Sequence, residues 1–165
     1  EKPDKGLIRL FNKNSSYLQL YNYEVGIVYR ENLLLEDRSL NENFEFILNA
    51  KGLSAGYYKS RIRKVLEVVD LKSYNQMKPT DLIPHQLIRA NIAQALLAYP
   101  SLIILENPTF NLDEVNARAI YNLLKQINSL GITLILLSND KNLLTANRTN
   151  RIVNLKEGEI SAEKI

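Results

Sequence analysis

Short apolar runs spaced widely along the chain predict β-strands. The segments Leu102–Leu105 and Ile132–Leu137 are apolar at consecutive positions, which is typical of parallel strands covered by helices on both faces. A third run, Val25–Tyr29, is followed directly by charged residues, and Leu7–Phe11 follows a turn-forming segment, so each also predicts a strand. The pattern indicates an α/β protein with a mainly parallel sheet.

Segments with helical periodicity lie between and around these strands. Gln86–Tyr99 and Glu114–Leu130 carry apolar side chains three and four residues apart, and Gly131 is placed to end the second helix. The apolar positions of the first are Ile88, Ile92, Ala95, Leu96 and Tyr99. Those of the second are Ile120, Leu123, Leu124 and Ile127. Both segments therefore predict helices that pack on the sheet.

Residues 39–80 predict a helical insertion. A short helix around Glu42–Leu48 precedes a longer amphipathic helix, with no strand between them. The apolar positions of the longer helix are Tyr58, Ile62, Val65, Leu66 and Val69. We expect one domain, 1–165, with 39–80 as a helical subdomain inserted in the α/β core. The tail Arg151–Ile160, with Glu157 and Gly158 at its centre, predicts a C-terminal β-hairpin.

The composition is that of a soluble globular protein. The 165 residues are 45% hydrophobic and 24% charged, close to the average, and no apolar run approaches the roughly 18–20 residues that cross a bilayer. The first residues show no basic-then-apolar pattern and the sequence has no cysteine, so we expect a cytoplasmic protein without a leader and without disulfide or thiolate–metal chemistry. The net charge of +3 is dispersed, which argues against a nucleic-acid partner.

Several segments resemble one enzyme family. Gly26–Phe44, Pro100–Asp113, Thr133–Asp140 and the closing Lys156–Ile160 are similar in order and spacing to ATP-binding-cassette (ABC) ATPases, most of all to the FtsE-type cell-division subunits. The resemblance covers nearly the whole chain. It implies a RecA-like ABC nucleotide-binding core, with ATP and Mg²⁺ as the ligands of the family. It also implies a position at the inner face of the plasma membrane, an FtsX-like permease as partner, and a homodimer or a pair with another ABC ATPase.

The strand-end segment Glu106–Thr109 departs from the family pattern. The family has Asp-Glu-Pro-Thr here, so the resemblance places Glu106 at the metal carboxylate and Asn107 at the catalytic glutamate. Asn can orient a water molecule but cannot accept its proton, and losing a general base costs about 10²–10⁴ in rate. A shift of one residue would put Leu105 at the metal position, where it coordinates nothing. The resemblance therefore predicts severely impaired hydrolysis.

Two further nucleotide contacts of the family are replaced. Arg30 stands where the family has a Gln that senses Mg²⁺ and the attacking water, and Asn139 stands where it has the switch His. The phosphate-loop motif Gly-x-x-x-x-Gly-Lys-Ser/Thr does not occur among the six glycines. In the family this loop precedes the turn that aligns with Lys2–Gly6. We expect it either upstream of Glu1 or lacking from the parent protein.

The segment Leu82–Leu87 takes the place of the family signature, whose serine hydroxyl and backbone N–H groups cap ATP on the partner subunit. Pro84 has no N–H, and His85 adds a side chain where the backbone must approach closely. We expect this surface not to cap a phosphate in the family's manner. Asp113 ends the Asn-Leu-Asp loop, which links the two subunits in the family and is retained here.

Simpler interpretations remain open. Glu106 and Asn107 are also compatible with solvated loop residues. Arg30 is as compatible with an ion pair to Glu31 or Asp37 as with a nucleotide contact.

Three other features have two interpretations each. We expect His85 to be a surface residue at a helix start, since no nucleophile spacing supports a triad with it. The alternating tyrosines of Tyr17–Tyr23 fit a half-buried strand or interface better than a base-stacking surface. Leu33–Leu35 follows the position where the family contacts its membrane subunit, so it indicates either a partner-binding patch or ordinary core.

Two functional hypotheses follow from the sequence. The first is a non-catalytic ABC subunit that acts by binding an FtsX-like permease or a partner ATPase. The second is a genuine but slow ABC ATPase subunit, with its phosphate loop upstream of Glu1 and a catalytic acid supplied in an unusual way.

Overall fold

The computed structural model describes residues 5–6, 9–10, 13–14, 25–139 and 151–164. Its strands and helices in chain order are β1 (Arg9–Leu10), β2 (Lys13–Asn14), β3 (Val25–Val28), α1 (Leu40–Ala50), α2 (Ala55–Val68), α3 (Pro84–Leu96), β4 (Leu102–Glu106), α4 (Glu114–Ser129), β5 (Thr133–Leu137), β6 (Ile152–Lys156) and β7 (Glu159–Lys164). Of the predicted Leu7–Phe11 strand, the described part is β1, which pairs antiparallel with β2. The Tyr17–Tyr23 segment lies outside the described residues.

A three-stranded parallel sheet in the order β3-β4-β5 forms the centre of the fold. On one face of the middle strand β4, Ile103 and Leu105 are fully buried; on the other face Leu102 is 5% exposed and Ile104 is partly buried, so the cover on both faces that the apolar run predicts is complete on one face only. The same prediction is wrong for β5. Leu134 and Leu136 pack against the core, whereas Ile135 and Leu137 on the other face are 43% and 50% exposed. Within the described residues, α4 covers β5 on one face only.

Helix α3 packs against β3 at very short range. Ala90, Ile92 and Ala93 are fully buried, and these small and branched side chains let the helix approach the strand. A methyl group added at Gly26 of β3 would lie 3.0 Å from both Cβ and the carbonyl oxygen of Ala95. Glycine at position 26 is therefore a packing requirement.

Helix α3 ends earlier than its apolar periodicity predicts. The helix stops at Leu96, and Tyr99, expected on its apolar face, has φ +55° and is 52% exposed. Arg61 of α2 donates from Nε to the carbonyl oxygen of Leu97 at 2.9 Å and from Nη2 to that of Leu96. The Arg61 guanidinium also lies 3.4 Å from the centroid of the Tyr99 ring. These contacts satisfy carbonyls that the end of the helix leaves unpaired.

The predicted helical segment is present, with α1, α2 and two 3₁₀ turns (Lys72–Tyr74 and Pro79–Asp81) between residues 40 and 81. Its apolar side chains belong to the same core as those of the sheet; they include Phe44, Leu48, Ile62, Val65, Leu66 and Val69. Helix α1 begins with a capping box, in which Ser39 and Glu42 exchange hydrogen bonds. The Ser39 hydroxyl and backbone N–H, which donate to the carboxylate, lower the pKa of Glu42.

The predicted C-terminal hairpin is confirmed. Strands β6 and β7 pair antiparallel, and the turn residues Glu157 and Gly158 both have positive φ (52° and 83°), as a tight two-residue hairpin turn requires. Among the residues that the structure describes, no helix is both long and apolar enough to cross a membrane.

The close approach of α3 to β3 makes a prediction for Gly26→Ala. The added methyl group meets the carbonyl oxygen and the Cβ of Ala95, neither of which can rotate away, so the free energy of unfolding should fall by about 1–3 kcal/mol. Gly56→Ala in α2 is the matched control, because an added Cβ there meets nothing within 4 Å and should raise the stability by up to about 1 kcal/mol. Urea denaturation measures both values, and equal effects of the two variants would contradict the packing account.

Candidate functional site

The carboxyl ends of the three parallel strands bring distant residues together. The register pairs Val28 with Leu105 and Glu106 with Leu137, so the residues that follow β3, β4 and β5 meet at one edge of the sheet. A cavity of about 310 Å³ lies at this edge; its lining residues are Arg30, Asn107, Thr109, Phe110, Ser138 and Asn139. Of the residues predicted from the sequence, the cavity brings together Arg30, Asn107 and Asn139.

Asn107 is held in an unusual backbone conformation. Its φ is +44°, in the left-handed region, where Asn is several-fold more common than most residues with a side chain. Its N–H donates to the carbonyl oxygen of Leu137 at 2.8 Å, and its own carbonyl accepts from the N–H of Phe110 at 3.0 Å. Asn therefore suits the backbone conformation of this turn. Its side-chain amide cannot act as a base.

The loop between β4 and α4 is anchored in the core. Pro108 and Thr109 are buried, and the hydroxyl oxygens of Thr109 and Tyr121 of α4 are 2.7 Å apart. The Leu112 N–H donates to the Thr109 carbonyl at 3.2 Å, which closes the next turn. This anchoring fixes the backbone of Asn107 and Phe110 on either side of Thr109.

Arg30 contacts an aromatic ring. Its guanidinium carbon lies 3.9 Å from the centroid of the Phe110 ring, which is typical of a cation–π contact. No ion pair joins Arg30 to Glu31 or Asp37 in the described part of the chain, so that simpler interpretation is not supported. Phe110 is a site residue that the sequence interpretation misses, because 80 positions separate it from Arg30.

The predicted metal residue does not line the cavity. Glu106 ends β4 with an exposed side chain and is absent from the lining, although Asn107 beside it is present. Within the described residues, no group of three or more His, Asp and Glu side chains is placed to hold a metal ion. Magnesium needs oxygen ligands and carboxylate charge, whereas the described lining of this cavity holds a guanidinium, two amides and the hydroxyls of Thr109 and Ser138, and no carboxylate. The residues present therefore do not fit a magnesium site.

The replaced signature segment lies apart from the cavity. Pro84 is the first residue of α3, and Ile83 before it is 52% exposed. The Ile83 side chain has no hydrogen-bond acceptor and cannot cap the N-terminus of α3. The Gln86 side chain instead accepts a hydrogen bond from the Ile83 N–H at 3.2 Å. His85 is half-buried in the first helical turn. The expected position of His85 at a helix start is confirmed, and neither Pro84 nor His85 lines the cavity.

Asp113 caps helix α4. Its carboxylate accepts from the backbone N–H of Asn116 at 2.9 Å and also from the Asn116 side-chain amide at 2.5 Å. Both bonds lower the pKa of Asp113 below its ordinary value of 3.8, and the bond from the Asn116 backbone N–H has the larger effect. Asp113 does not line the cavity, and its contacts in this structure are those of a helix N-cap.

The leucine segment after Arg30 is divided between core and surface. Leu34 is buried, whereas Leu33 and Leu35 are 57% and 38% exposed. A buried amide, Asn43, holds the loop that follows: its Oδ1 accepts from the Leu35 N–H at 2.7 Å, and its Nδ2 donates to three carbonyls. Those carbonyls belong to Leu35, Arg38 and Ser39. The sequence interpretation misses Asn43, although the capping-box spacing of Ser39 and Glu42 marks the start of its helix.

Comparisons with known proteins identify similar chains. No protein-family model matches the chain. It is 30% identical to the lipoprotein-releasing system ATP-binding protein LolD of Legionella pneumophila, over 99% of this chain and 74% of that protein. It is 31% identical to the methionine import ATP-binding protein MetN of Protochlamydia amoebophila (99% and 49%), and 27% identical to the cell division ATP-binding protein FtsE of Bacillus subtilis (97% and 72%).

The chain thus spans about half the length of this MetN relative and about three quarters of the other two. The predicted similarity to FtsE is present but not exclusive, since LolD and MetN proteins match at comparable identity.

Solved structures agree in fold. The chain is similar to CbiO1 of Clostridium perfringens, part of the ABC transporter complex CbiONQ, with a TM-score of 0.90 and 25% identity over 99% of this chain and 67% of that one. A dimeric ATP-binding cassette in a post-hydrolysis state with ADP and Pi matches with a TM-score of 0.82 and 27% identity (99% and 75%). These matches confirm the predicted α/β nucleotide-binding fold with its mainly parallel sheet.

The helix cap makes a prediction about pH. Because folding lowers the pKa of Asp113, its stabilising effect is complete above the ordinary value of 3.8 and is lost as the pH falls through the lowered value. Asp113→Ala should therefore lower the urea midpoint at pH 7, and the deficit should shrink on acidification. Asp113→Asn keeps a side-chain oxygen that can cap the helix, so its urea midpoint should fall less than that of Asp113→Ala. A deficit for Asp113→Ala that grows as the pH falls would contradict this account.

Proposed function

The chain belongs to the ATP-binding-cassette family of transporter ATP-binding subunits, and we propose that within this family it is a degenerate, non-hydrolysing subunit that acts by binding. The observation that carries the proposal is the Arg30 guanidinium in the strand-end cavity, stacked on Phe110 and next to Asn107. Residues 1–165 would form a partial ABC domain with the helical subdomain 39–80 inserted in it.

The loss of hydrolysis follows from the groups at the site. Hydrolysis of ATP requires Mg²⁺ held by a carboxylate and a group that positions or deprotonates water. In the proposed correspondence, Asn107 and Asn139 replace the catalytic glutamate and the switch histidine, and Arg30 replaces the glutamine that senses the metal. Neither amide can accept a proton, and a cation beside the metal position opposes Mg²⁺ binding. Glu106 alone retains a metal-binding carboxylate.

The proposed partner is an FtsX-like membrane permease at the inner face of the plasma membrane. The exposed Leu33 and Leu35 lie on the loop that follows Arg30, and Asn43 holds the end of that loop in place. Exposed leucines on a fixed loop are suited to burial against a partner, because no ordering of the loop is then needed. A homodimer or a pair with an active ABC ATPase would complete the assembly. The dispersed charge continues to argue against nucleic acid.

Steady-state ATP turnover tests the loss of hydrolysis. We expect the purified full-length protein to turn over ATP at the background rate with Mg²⁺ present, while an active ABC ATPase assayed in parallel does so measurably. Glu106→Gln and Asn107→Ala should then leave the rate at background. Turnover that either substitution abolishes would support the slow-ATPase hypothesis and overturn this proposal.

Co-purification tests the proposed docking surface. The full-length protein is co-expressed with an FtsX-like permease and purified with and without ATP, and the recovered permease is quantified. Leu33→Ser/Leu35→Ser should reduce recovery about tenfold or more, because it removes apolar surface that the partner would bury. Val115→Ser is the matched control, since Val115 is an apolar α4 side chain that is 78% exposed. Equal recovery with the double variant and the control would count against this surface.

A further inference from the structure

We propose that the strand-end cavity binds a phosphate oxyanion directly, without a divalent metal, and that Arg30 is its resident cation. The inference goes beyond the proposed function and does not depend on the permease. The cavity of about 310 Å³ is at the lower end of the range for ligand pockets. It has room for a phosphate group.

The chemistry of the lining favours an anion over a cation. Among the described residues that line it, Arg30 alone is charged and is positive, and the amides of Asn107 and Asn139 each add two N–H donors. Three acids are direct sequence neighbours of lining residues: Glu31 and Glu106 are exposed and do not belong to the lining, and Asp140 lies outside the described residues. A metal ion would find amide oxygens and a repelling guanidinium, whereas an oxyanion would find donors from the ends of all three strands.

The contact with Phe110 prepares Arg30 for this role. Stacking at 3.9 Å occupies one face of the guanidinium and leaves the in-plane N–H groups at its edge available for a two-pronged bond to oxyanion oxygens. The backbone of Phe110 is fixed by its N–H bond to the Asn107 carbonyl and by the buried Thr109 before it, while the residue is 47% exposed. The contact between the guanidinium and the ring is present without a ligand, which reduces the entropy cost of binding.

Calorimetry of the full-length protein tests the inference. Inorganic phosphate and ATP are titrated separately, each in EDTA and in Mg²⁺. We expect binding in EDTA that Arg30→Gln weakens about tenfold to a hundredfold, as expected for the loss of a charged hydrogen bond. The affinity of Arg30→Lys should be intermediate, because lysine keeps the positive charge but loses the two-pronged hydrogen bond and the stacking of the guanidinium on Phe110. Arg30-dependent binding of inorganic phosphate identifies a free ion as ligand, and Arg30-dependent binding of ATP alone identifies the phosphate of a nucleotide.

Two controls separate this site from others. Arg63→Gln also removes one positive charge, from an α2 side chain that pairs with Glu67 outside the cavity. This variant should bind phosphate and ATP with the same affinity as the parent protein. Glu106→Gln should bind at least as tightly as the parent, because it removes a nearby negative charge. Urea midpoints confirm that each variant is folded.

Three results would overturn the inference: binding of both ligands only with Mg²⁺, binding in EDTA that Arg30→Gln leaves intact, or loss of binding in Glu106→Gln. Measured ATP turnover would overturn the proposed function and leave the metal-free binding result unchanged.

Discussion

The register of three parallel strands determines which side chains meet at the candidate site. Val28 lies beside Leu105, and Glu106 beside Leu137, so the segments that leave β3, β4 and β5 start from one edge. Ile103 and Leu105 on one face of the middle strand are fully buried, which makes a one-residue shift costly because it would move these side chains out of the core. Arg30, Asn107 and Asn139 are neighbours for this reason, although they are far apart in sequence.

Short polar contacts then fix each loop that leaves this edge. Asn43 is buried, and its side-chain amide binds the backbone of Leu35 in the loop after Arg30, so one of the two exposed leucines is fixed at its backbone. The Thr109–Tyr121 hydroxyl contact and the Asp113 cap hold the two ends of the loop after β4. Little of the site therefore depends on Glu106, the residue that the family resemblance assigns to the metal.

The sequence predicts elements better than it predicts contacts. Consecutive apolar residues in β4 and the spacing of Ile120, Leu123, Leu124 and Ile127 in α4 are local signals, and the structure confirms both elements. Tyr99 continues the apolar period of α3 but lies outside the helix, where Pro100 follows it and Arg61 binds the carbonyls of Leu96 and Leu97. The position of Arg30 against Phe110 and the bonds of Asn43 also depend on tertiary contacts. The spacing of apolar residues along the sequence does not predict such contacts.

The central claim is that a fixed guanidinium and two amides now occupy the place of the family's metal and proton chemistry. Anomalous diffraction tests it most directly, from crystals of the full-length protein grown with ATP and Mn²⁺. The account predicts no manganese peak within coordinating distance of the Glu106 carboxylate, with the Arg30 guanidinium still on the Phe110 ring. A manganese ion about 2 Å from a Glu106 oxygen, with Arg30 displaced from the cavity, would contradict it.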